Sequence, residues 1–300
     1  MRPFASRVLQ LRLLLRALIV IAVLFAFAST SLAQIPDDKT PKLHWKPPHA
    51  FEPVPGISAV PACHLNDLLA KAGRRADDLI DHLQNFDAHE QVRFERVDKS
   101  GDSLLYLKGR YDYQADFGDS ASPLRLHETR APIGRNNDAI LESEIDRGLV
   151  ALALVFHPSM QTDFDIHCDG FVRRRGRGAF VVSFAQMNGK TPHAIALISP
   201  IGRYPVRIRG RAWIAADSGE VIHLETYLMD PVPELGLRSN ATAIDYAPVK
   251  FQTKRVELWL PQSAVVYANY GKTRTIIEHS FSNFQLFSVD TRQVVETPKP

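Results

Sequence analysis

The sequence predicts an α+β fold that is mainly antiparallel β: a curved sheet with two helices packed against it. Three observations support this class. A long strand–turn–strand pattern runs from Arg203 to Met229. From Phe164 onward, most segments alternate apolar and polar residues with the period of two that β-strands require. Only two stretches, residues 66–88 and 137–156, repeat apolar residues at the three- and four-residue spacing of a helix.

The first 33 residues have the organisation of a secretory signal peptide. Four arginines precede an apolar run at residues 17–28, and Ser31-Leu32-Ala33 offers small residues for cleavage before Gln34. The run is shorter than the roughly 20 residues that span a bilayer, so an uncleaved anchor is the less favoured alternative. We therefore predict a periplasmic or secreted protein that is peripheral to a membrane at most.

The net charge argues against a nucleic-acid partner. The chain has 36 lysines and arginines against 33 acids, which gives a net charge of +3. Residues 1–33 contain four arginines and no acid, so cleavage leaves 32 basic residues against 33 acids, a net charge of −1. A mature protein without a positive excess lacks the electrostatic footprint of nucleic-acid binding.

Residues 34–62 are predicted to be a proline-rich linker. A single domain follows at 63–292, and residues 293–300 form a C-terminal tail. Proline fixes φ and has no N–H to donate, so a proline-rich segment makes a poor helix or strand. The simplest interpretation of this segment is a disordered leader; the alternatives are a tether and a segment that binds a partner. Seven prolines fall in this segment: Pro36, Pro41, Pro47, Pro48, Pro53, Pro55 and Pro61.

The domain begins with the helix at 66–88, followed by a hairpin that turns at 98–101. The second helix, at 137–156, ends before Pro158, and its last turns are apolar on all sides. A helix of that kind packs into a core rather than over one. Besides the long hairpin, strands are predicted at 170–174, 178–185, 193–198, 242–251, 255–260, 263–270 and 273–289.

The long hairpin has a well-specified register. Gly219 can adopt the left-handed conformation of a three-residue loop that closes with a bulge. The register then places apolar pairs on one face and a charge pair and a cation–aromatic pair on the other. The predicted pairs are Ile214 with Ile222, Ala212 with Leu224, Ile208 with Leu228, Arg211 with Glu225, and Arg209 with Tyr227.

Cys63 and Cys168 are the two cysteines of the chain. Both lie in the exported part, and an even number of cysteines in an oxidising compartment favours a disulfide. Two free thiols, or a metal site with His64 and His167, are the alternatives. The spacing of the eleven histidines supports no metal site, and no cofactor-binding motif occurs.

Two groups of residues are candidates for binding. Aromatic side chains on the strands could line an apolar cavity, because two helices cannot easily cover the whole of a long sheet. Arginines on the hairpin could contact an anion, although a solvated strand face balanced by Glu225 is the simpler interpretation. The cavity candidates are Phe180, Trp213, Trp259, Phe281 and Phe284, and the anion candidates are Arg207, Arg209 and Arg211.

Catalysis is the least favoured function. No nucleophile motif or phosphate-binding loop is present. His223 and Glu225 could act as base and acid, but Arg211 already accounts for Glu225 in the predicted register. We predict no catalytic residue.

Several phrases of the sequence resemble one known superfamily. They are the helix LLAKAGRRADDLIDHLQNF, the hairpin GRAWIAADSGEVIHLET and the closing SFSNFQLFSV. Together they are similar to the LolA/LolB/RseB superfamily of periplasmic proteins, over about residues 63–290. The resemblance implies a half-barrel closed by helices, with a hydrophobic cavity for acyl chains or a partner's peptide. It identifies no functional residue individually.

These observations predict an exported, non-enzymatic protein that holds a lipid or another apolar ligand in a half-barrel cavity. The alternative is an envelope protein-interaction or stress-sensor module, and a secreted hydrolase is third.

Overall fold

The structure is a computed structural model. It describes residues 43–48, 52–82, 86–117, 126–134, 140, 145, 147–189, 196–199, 202–251 and 255–286. The predicted signal peptide, residues 34–42 of the predicted linker and the predicted tail lie outside the described residues.

Strands make up most of the described chain. The helices are α1 (Leu65–His82), a 3₁₀ helix (Leu149–Phe156), the single-turn α2 (Pro158–Gln161) and a short 3₁₀ turn (Pro233–Leu235). The strands are β1 (Phe86–Val97), β2 (Ser103–Phe117), β3 (Leu126–Pro132), β4 (Phe164–Arg174), β5 (Arg177–Gln186), β6 (Ala196–Ser199), β7 (Gly202–Pro205), β8 (Ile208–Ala215), β9 (Val221–Leu228), β10 (Ser239–Phe251), β11 (Val256–Asn269) and β12 (Arg274–Leu286).

Ten strands form one open antiparallel sheet in the order β3-β2-β1-β12-β11-β10-β9-β8-β5-β4. Strands β3 and β4 are its two edges, so the sheet does not close into a barrel. Strands β6 and β7 form a separate two-stranded sheet. The predicted fold class, a curved antiparallel half-barrel with packing helices, is confirmed.

The central hairpin is formed by β8 and β9. Four of the five predicted pairs are present, including Arg211 with Glu225 and Arg209 with Tyr227. The fifth is wrong by one residue, because Ile214 pairs with Val221 and Ile222 is the extra residue of a bulge. The hairpin is also shorter than predicted, because residues Gly202–Pro205 form β7 and pair with β6.

Strand β11 corrects another prediction. The two strands predicted on either side of Pro261 are one continuous strand, Val256–Asn269. Its register against β10 shifts where Tyr246 faces Pro261 and Ser263 faces Asp245. Proline has no N–H to donate to a ladder, so a bulge at this position lets the strand pass through it.

Both predicted helices differ in extent. Helix α1 ends at His82, and Phe86, predicted to be helical, begins β1. Of the predicted second helix, the part from Leu149 to Phe156 is a 3₁₀ helix, and the described residues from 140 to 148 are not helical. Gly148 precedes it with φ +79°, a left-handed conformation that interrupts a helix.

The two faces of the sheet are covered by different parts of the chain. We term the face under α1 and the 3₁₀ helix the helix-covered face; it carries the main hydrophobic core. We term the other the outer face. It has a smaller apolar cluster, formed by Val172, Ala179, Val181, Trp213, Ala215 and Ile222.

Residues 43–48 and 52–58, which belong to the predicted linker, lie on the outer face, and we term them the strap. Leu43 N–H donates to Glu95 Oε2 of β1 at 2.6 Å. At the other end, Ser58 exchanges two backbone hydrogen bonds with Phe171 of edge strand β4. Because β1 and β4 are separated by six other strands in the sheet order, the strap reaches across eight of the ten strands.

Cys63 and Cys168 form a disulfide, as predicted. Their Cα atoms are 6.5 Å apart, within the range that a disulfide requires. The bond joins the residues just before α1 to edge strand β4. It therefore fixes the start of the helical cover to the sheet.

Candidate functional site

Helix α1 covers part of the helix-covered face with a stripe of buried residues that includes Leu68, Ala72, Ala76 and Leu79. Below it lies a cavity of about 40 Å³. Ala72, Ala76 and Leu79 line it from α1, Ala153 from the 3₁₀ helix, and Val221, Tyr246, Leu258 and Trp259 from the sheet. A space of this size holds a water molecule or two but no acyl chain.

Polar contacts tie α1 to the β8–β9 turn. Arg75 Nε is 2.9 Å from Glu220 Oε1 and donates to the Ser218 carbonyl at 3.2 Å. Lys71 Nζ donates to the Ala216 carbonyl at 3.3 Å. Gly219 brings the turn so close that an added Cβ would lie 2.5 Å from Lys71 Cβ. The helix thus rests on the turn through a close glycine contact and a few hydrogen bonds.

Glu220 stands at the edge of the cavity, with its side chain 12 % exposed. Burial raises the pKa of Glu220 to about 7, and this outweighs the opposing effect of Arg75. A carboxyl group whose pKa is raised in the folded state stabilises the fold most when it is protonated. Its contribution is therefore complete below the ordinary pKa of 4.5 and is lost as the pH rises through about 7.

Replacing Glu220 by glutamine is expected to remove this pH dependence. The neutral amide cannot ionise. The free energy of unfolding of E220Q, relative to that of wild type, should therefore rise by about 2 kcal/mol between pH 4.5 and pH 7.5. Urea midpoints at pH 4.5, 6 and 7.5 would measure the difference. E234Q, at an exposed acid outside the cavity lining, is the control and should follow wild type. If the free energies of unfolding of wild type and E220Q changed equally with pH, Glu220 would not be the source of the pH dependence.

A buried cluster of charged side chains lies elsewhere on the helix-covered face, near edge strand β3. Arg130 Nε is 2.5 Å from Glu90 Oε2, and the two side chains are 2 % and 0 % exposed. His279 Nδ1 is 2.8 Å from Glu90 Oε1. Tyr113 donates its hydroxyl hydrogen to Glu128 at 2.6 Å, and the Arg130 guanidinium lies 5.0 Å from the Tyr113 ring centroid. The cluster is a connected network that includes two opposite full charges away from water.

The network shifts the pKa values of its members in opposite directions. Burial alone would raise the pKa of Glu90, but His279 and Arg130 outweigh burial and lower it. Burial, reinforced by Glu128, raises the pKa of Tyr113 well above its ordinary value. Glu128 also accepts the Gly148 N–H at 2.8 Å, immediately before the 3₁₀ helix. The network therefore anchors the second part of the helical cover to β3.

The five aromatic candidates are not gathered at one site. Phe180, Phe281 and Phe284 contribute to the core of the helix-covered face. Phe180 and Phe281 lie on β5 and β12, five strands apart, or about 24 Å at the usual spacing between strands. Trp213 lies in the apolar cluster of the outer face, and Trp259 packs against both clusters. Of the five, only Trp259 lines the cavity under α1.

Two of the three predicted anion candidates, Arg207 and Arg211, have acidic partners. Arg207 Nε donates to Asp230 at 2.9 Å. Arg211 donates to Glu225 at 2.8 Å and to the Glu52 carbonyl of the strap at 2.6 Å. Arg209 lies on the same strand, opposite Tyr227. Arg207 and Arg211 thus each have an acidic partner within the protein.

His223 and Glu225 belong to a hydrogen-bonded network on the outer face. His223 Nδ1 is 2.8 Å from Asp245 Oδ1, and Nε2 is 3.4 Å from Glu225 Oε1. Burial tends to raise the pKa of Glu225, but hydrogen bonds from His223 and Arg211 lower it to about 2. Both ring nitrogens of His223 thus face carboxylates. Among the described residues, no serine, threonine or cysteine side chain is found within hydrogen-bonding distance of this histidine.

Sequence reasoning missed the buried network, although a signal was present. Glu90 has the same strand phase as Ala88 and Val92, both of which face the core. His279 likewise alternates with Ile277 and Phe281 on β12. A charged residue in phase with core positions indicates a buried partner. The partner itself, Arg130 on β3, could not be identified without the strand order.

Within the described residues, no group of histidine, cysteine and acidic side chains is arranged to hold a metal ion. Among the same residues, none of the helices combines the length and the apolar character that a bilayer crossing requires.

Comparisons with known proteins found structural likeness at low identity. No family model matches the chain, and no curated protein matches it. A DUF1329 family protein from Desulfovibrio piger is 11 % identical with a TM-score of 0.39, over 74 % of this chain and 92 % of that one. A LolA superfamily protein from Nitrosomonas europaea is 10 % identical with a TM-score of 0.34, over 76 % and 96 %. A Vibrio parahaemolyticus domain described as outer membrane lipoprotein-sorting is 8 % identical with a TM-score of 0.36, over 74 % and 92 %. The superfamily that the sequence resembles is therefore named among these matches.

Proposed function

We propose that this chain is an exported, non-enzymatic binding protein that holds a lipid or another apolar ligand against the helix-covered face of its sheet. The observation that carries the proposal is the cover of that face. Over the described residues, an open ten-stranded sheet is covered by α1 and by a 3₁₀ helix whose eight residues, LVALALVF, are all apolar. Such a cover can shift without breaking any pairing between strands.

The size of the cavity determines how a ligand would enter. About 40 Å³ under α1 is too small for an acyl chain, so binding requires α1 to move away from the sheet. Exposing Leu68 and Leu79 would cost about 1.5–3 kcal/mol each, and the polar ties to the β8–β9 turn about 0–1 kcal/mol each. A sixteen-carbon chain that buries about 14 methylenes would regain about 11 kcal/mol, at roughly 0.8 kcal/mol per methylene. The acyl contacts would therefore offset the helix contacts that are lost, before the cost of association itself is counted.

Filling the cavity should compete with the ligand. Ala76 lies on the buried side of α1 and lines the cavity, so A76L is expected to weaken binding of a dansyl-labelled fatty acid at least tenfold. R74L, on the exposed side of the same helix, is the matched control and should bind within about twofold of wild type. Fluorescence titration measures both. Equal affinity in all three proteins, or no saturable binding by wild type, would contradict the proposal.

The interaction or sensor module is the less favoured alternative. It uses the proline-rich segment as a free tether, whereas the described part of that segment contacts the sheet from Leu43 to Ser58. Crosslinking in cells separates the two functions. A reproducible protein partner that is lost when residues 35–61 are deleted would favour the sensor. A hydrolase activity abolished by H223A or E225Q would instead favour the third function.

A further inference from the structure

A second and larger space lies on the opposite side of the sheet, between the strap and the outer face, and we term it the strap pocket. Its volume is about 460 Å³, within the range of about 300–1,000 Å³ that small-molecule sites occupy. Pro47, Pro48 and Val54 line it from the strap, and Trp213 and Tyr267 line it from the sheet. The strap thus forms one wall of a space large enough for a small molecule.

The aromatic wall of the pocket is held in place by its neighbours. The guanidinium groups of Arg174 and Arg211 lie 5.2 and 5.7 Å from the centroid of the Trp213 ring. The His223 ring packs edge-on against Trp213 at 4.8 Å. Tyr267 has an edge contact of 5.5 Å with Trp45 of the strap. The Trp213 and Tyr267 rings line the space together with Pro47 and Pro48, and aromatic and proline side chains offer an apolar lining that suits a flat ligand.

The polar lining of the pocket has an excess of positive charge. Its cations are Lys46, Arg173, Arg174 and Arg211, and its acids are Glu52 and Glu225. Arg174 is paired with Asp245, which Arg175 also contacts, and Arg211 is paired with Glu225, so both lining cations have an acidic partner. Lys46 and Arg173 are exposed and form no ion pair with another described residue. They lie on the strap and on β4 respectively, where both line the same space.

We propose that the strap pocket binds a small organic anion with a flat apolar body and one acidic group, such as a carboxylate, phosphate or sulfonate. The body would lie between Trp213 and the strap prolines. The acidic group would lie between Lys46 and Arg173, the two lining cations that form no ion pair with a described residue. This site is on the opposite face of the sheet from the proposed lipid site and does not depend on it.

Fluorine NMR of protein labelled with 5-fluorotryptophan tests the proposal, with phenyl phosphate as the probe. The chain has three tryptophans, Trp45, Trp213 and Trp259, and single Trp→Phe variants assign their signals. We expect a saturable shift of the Trp213 signal and no comparable shift of Trp259, which lines the cavity under α1 and does not line the strap pocket. The variant K46Q/R173Q should raise the Kd about tenfold. K99Q/R203Q removes the same charges from exposed positions outside the pocket and should leave the Kd unchanged.

Three results would overturn the proposal. The first is a Trp213 signal that phenyl phosphate does not shift. The second is an equal Kd in wild type and K46Q/R173Q. The third is inorganic phosphate binding with the same Kd as phenyl phosphate, which would show that the apolar walls contribute nothing. Adding stearate to the same sample and following the Trp259 signal tests the proposed lipid site on the helix-covered face. The result for the strap pocket is therefore distinguished from the result for the lipid site.

Discussion

Replacing Arg130 by methionine is expected to lower the free energy of unfolding by about 3–5 kcal/mol. The substitution keeps the length and the apolar stem of the side chain but leaves Glu90 buried without its guanidinium partner. Breaking a buried pair from one side is costly because the remaining charge cannot reach water. The Glu90 and Arg130 side chains are 0 % and 2 % exposed, so solvent cannot compensate. Urea unfolding at pH 7 measures the loss.

Two further variants show whether the loss comes from burial. R93M breaks the pair between Arg93 and Glu278, whose side chains are 35 % and 26 % exposed, and should cost less than about 1 kcal/mol. The double variant E90Q/R130M removes the stranded charge and should be more stable than R130M alone. A loss in R130M no larger than that in R93M would contradict the account of the network.

Removing the disulfide should have the other large effect on stability. Cys63 and Cys168 are 105 residues apart, and closing a loop of that length stabilises a fold by about 4–5 kcal/mol on the chain-entropy model. The variant C63S/C168S is therefore expected to lose about 4 kcal/mol but to remain folded, because every strand pairing of the ten-stranded sheet persists. Urea unfolding of oxidised wild type and of the variant measures the difference.

Reduction provides the control for the disulfide experiment. Wild type unfolded in a reducing buffer should have the midpoint of C63S/C168S, because both lack the same covalent link. Non-reducing peptide mapping tests the bond itself. Alkylation of either thiol without prior reduction, or an unchanged midpoint in the variant, would contradict it.

Period-two patterns and turn chemistry were sufficient to predict most of the sheet. The register of β8 and β9 followed from alternation and from Gly219, whose φ is +78°. The pairing of Ile214 was wrong because the alternation of apolar and polar residues does not show whether Val221 or Ile222 is the extra residue of the bulge. The 3₁₀ helix was predicted as part of an α-helix because apolar residues recur at three- and four-residue spacing over 137–156. Its own eight residues are all apolar, so they do not distinguish the two helix types.

The strap and the buried network could not be predicted for a different reason. A proline-rich segment carries no periodic pattern, so its sequence does not indicate that Leu43 would reach Glu95, 52 residues away. Likewise, the pairing of Glu90 with both Arg130 and His279 depends on β1 lying between β2 and β12. Contacts between distant segments depend on the order of strands, which local patterns leave open. The five aromatic candidates were chosen as one group, but they lie on both faces of the sheet. The sequence does not show which face of the sheet the helices cover.

Native mass spectrometry of the full chain expressed for export tests the central proposal most directly. The protein should be purified without detergent, examined as isolated, and examined again after lipid extraction and addition of stearate. The proposal predicts a co-purifying acyl species in the first sample and a one-to-one complex with stearate in the second. The stearate complex should be weakened in A76L but not in R74L. A clean apo mass in both samples would contradict the proposal that this half-barrel holds a lipid.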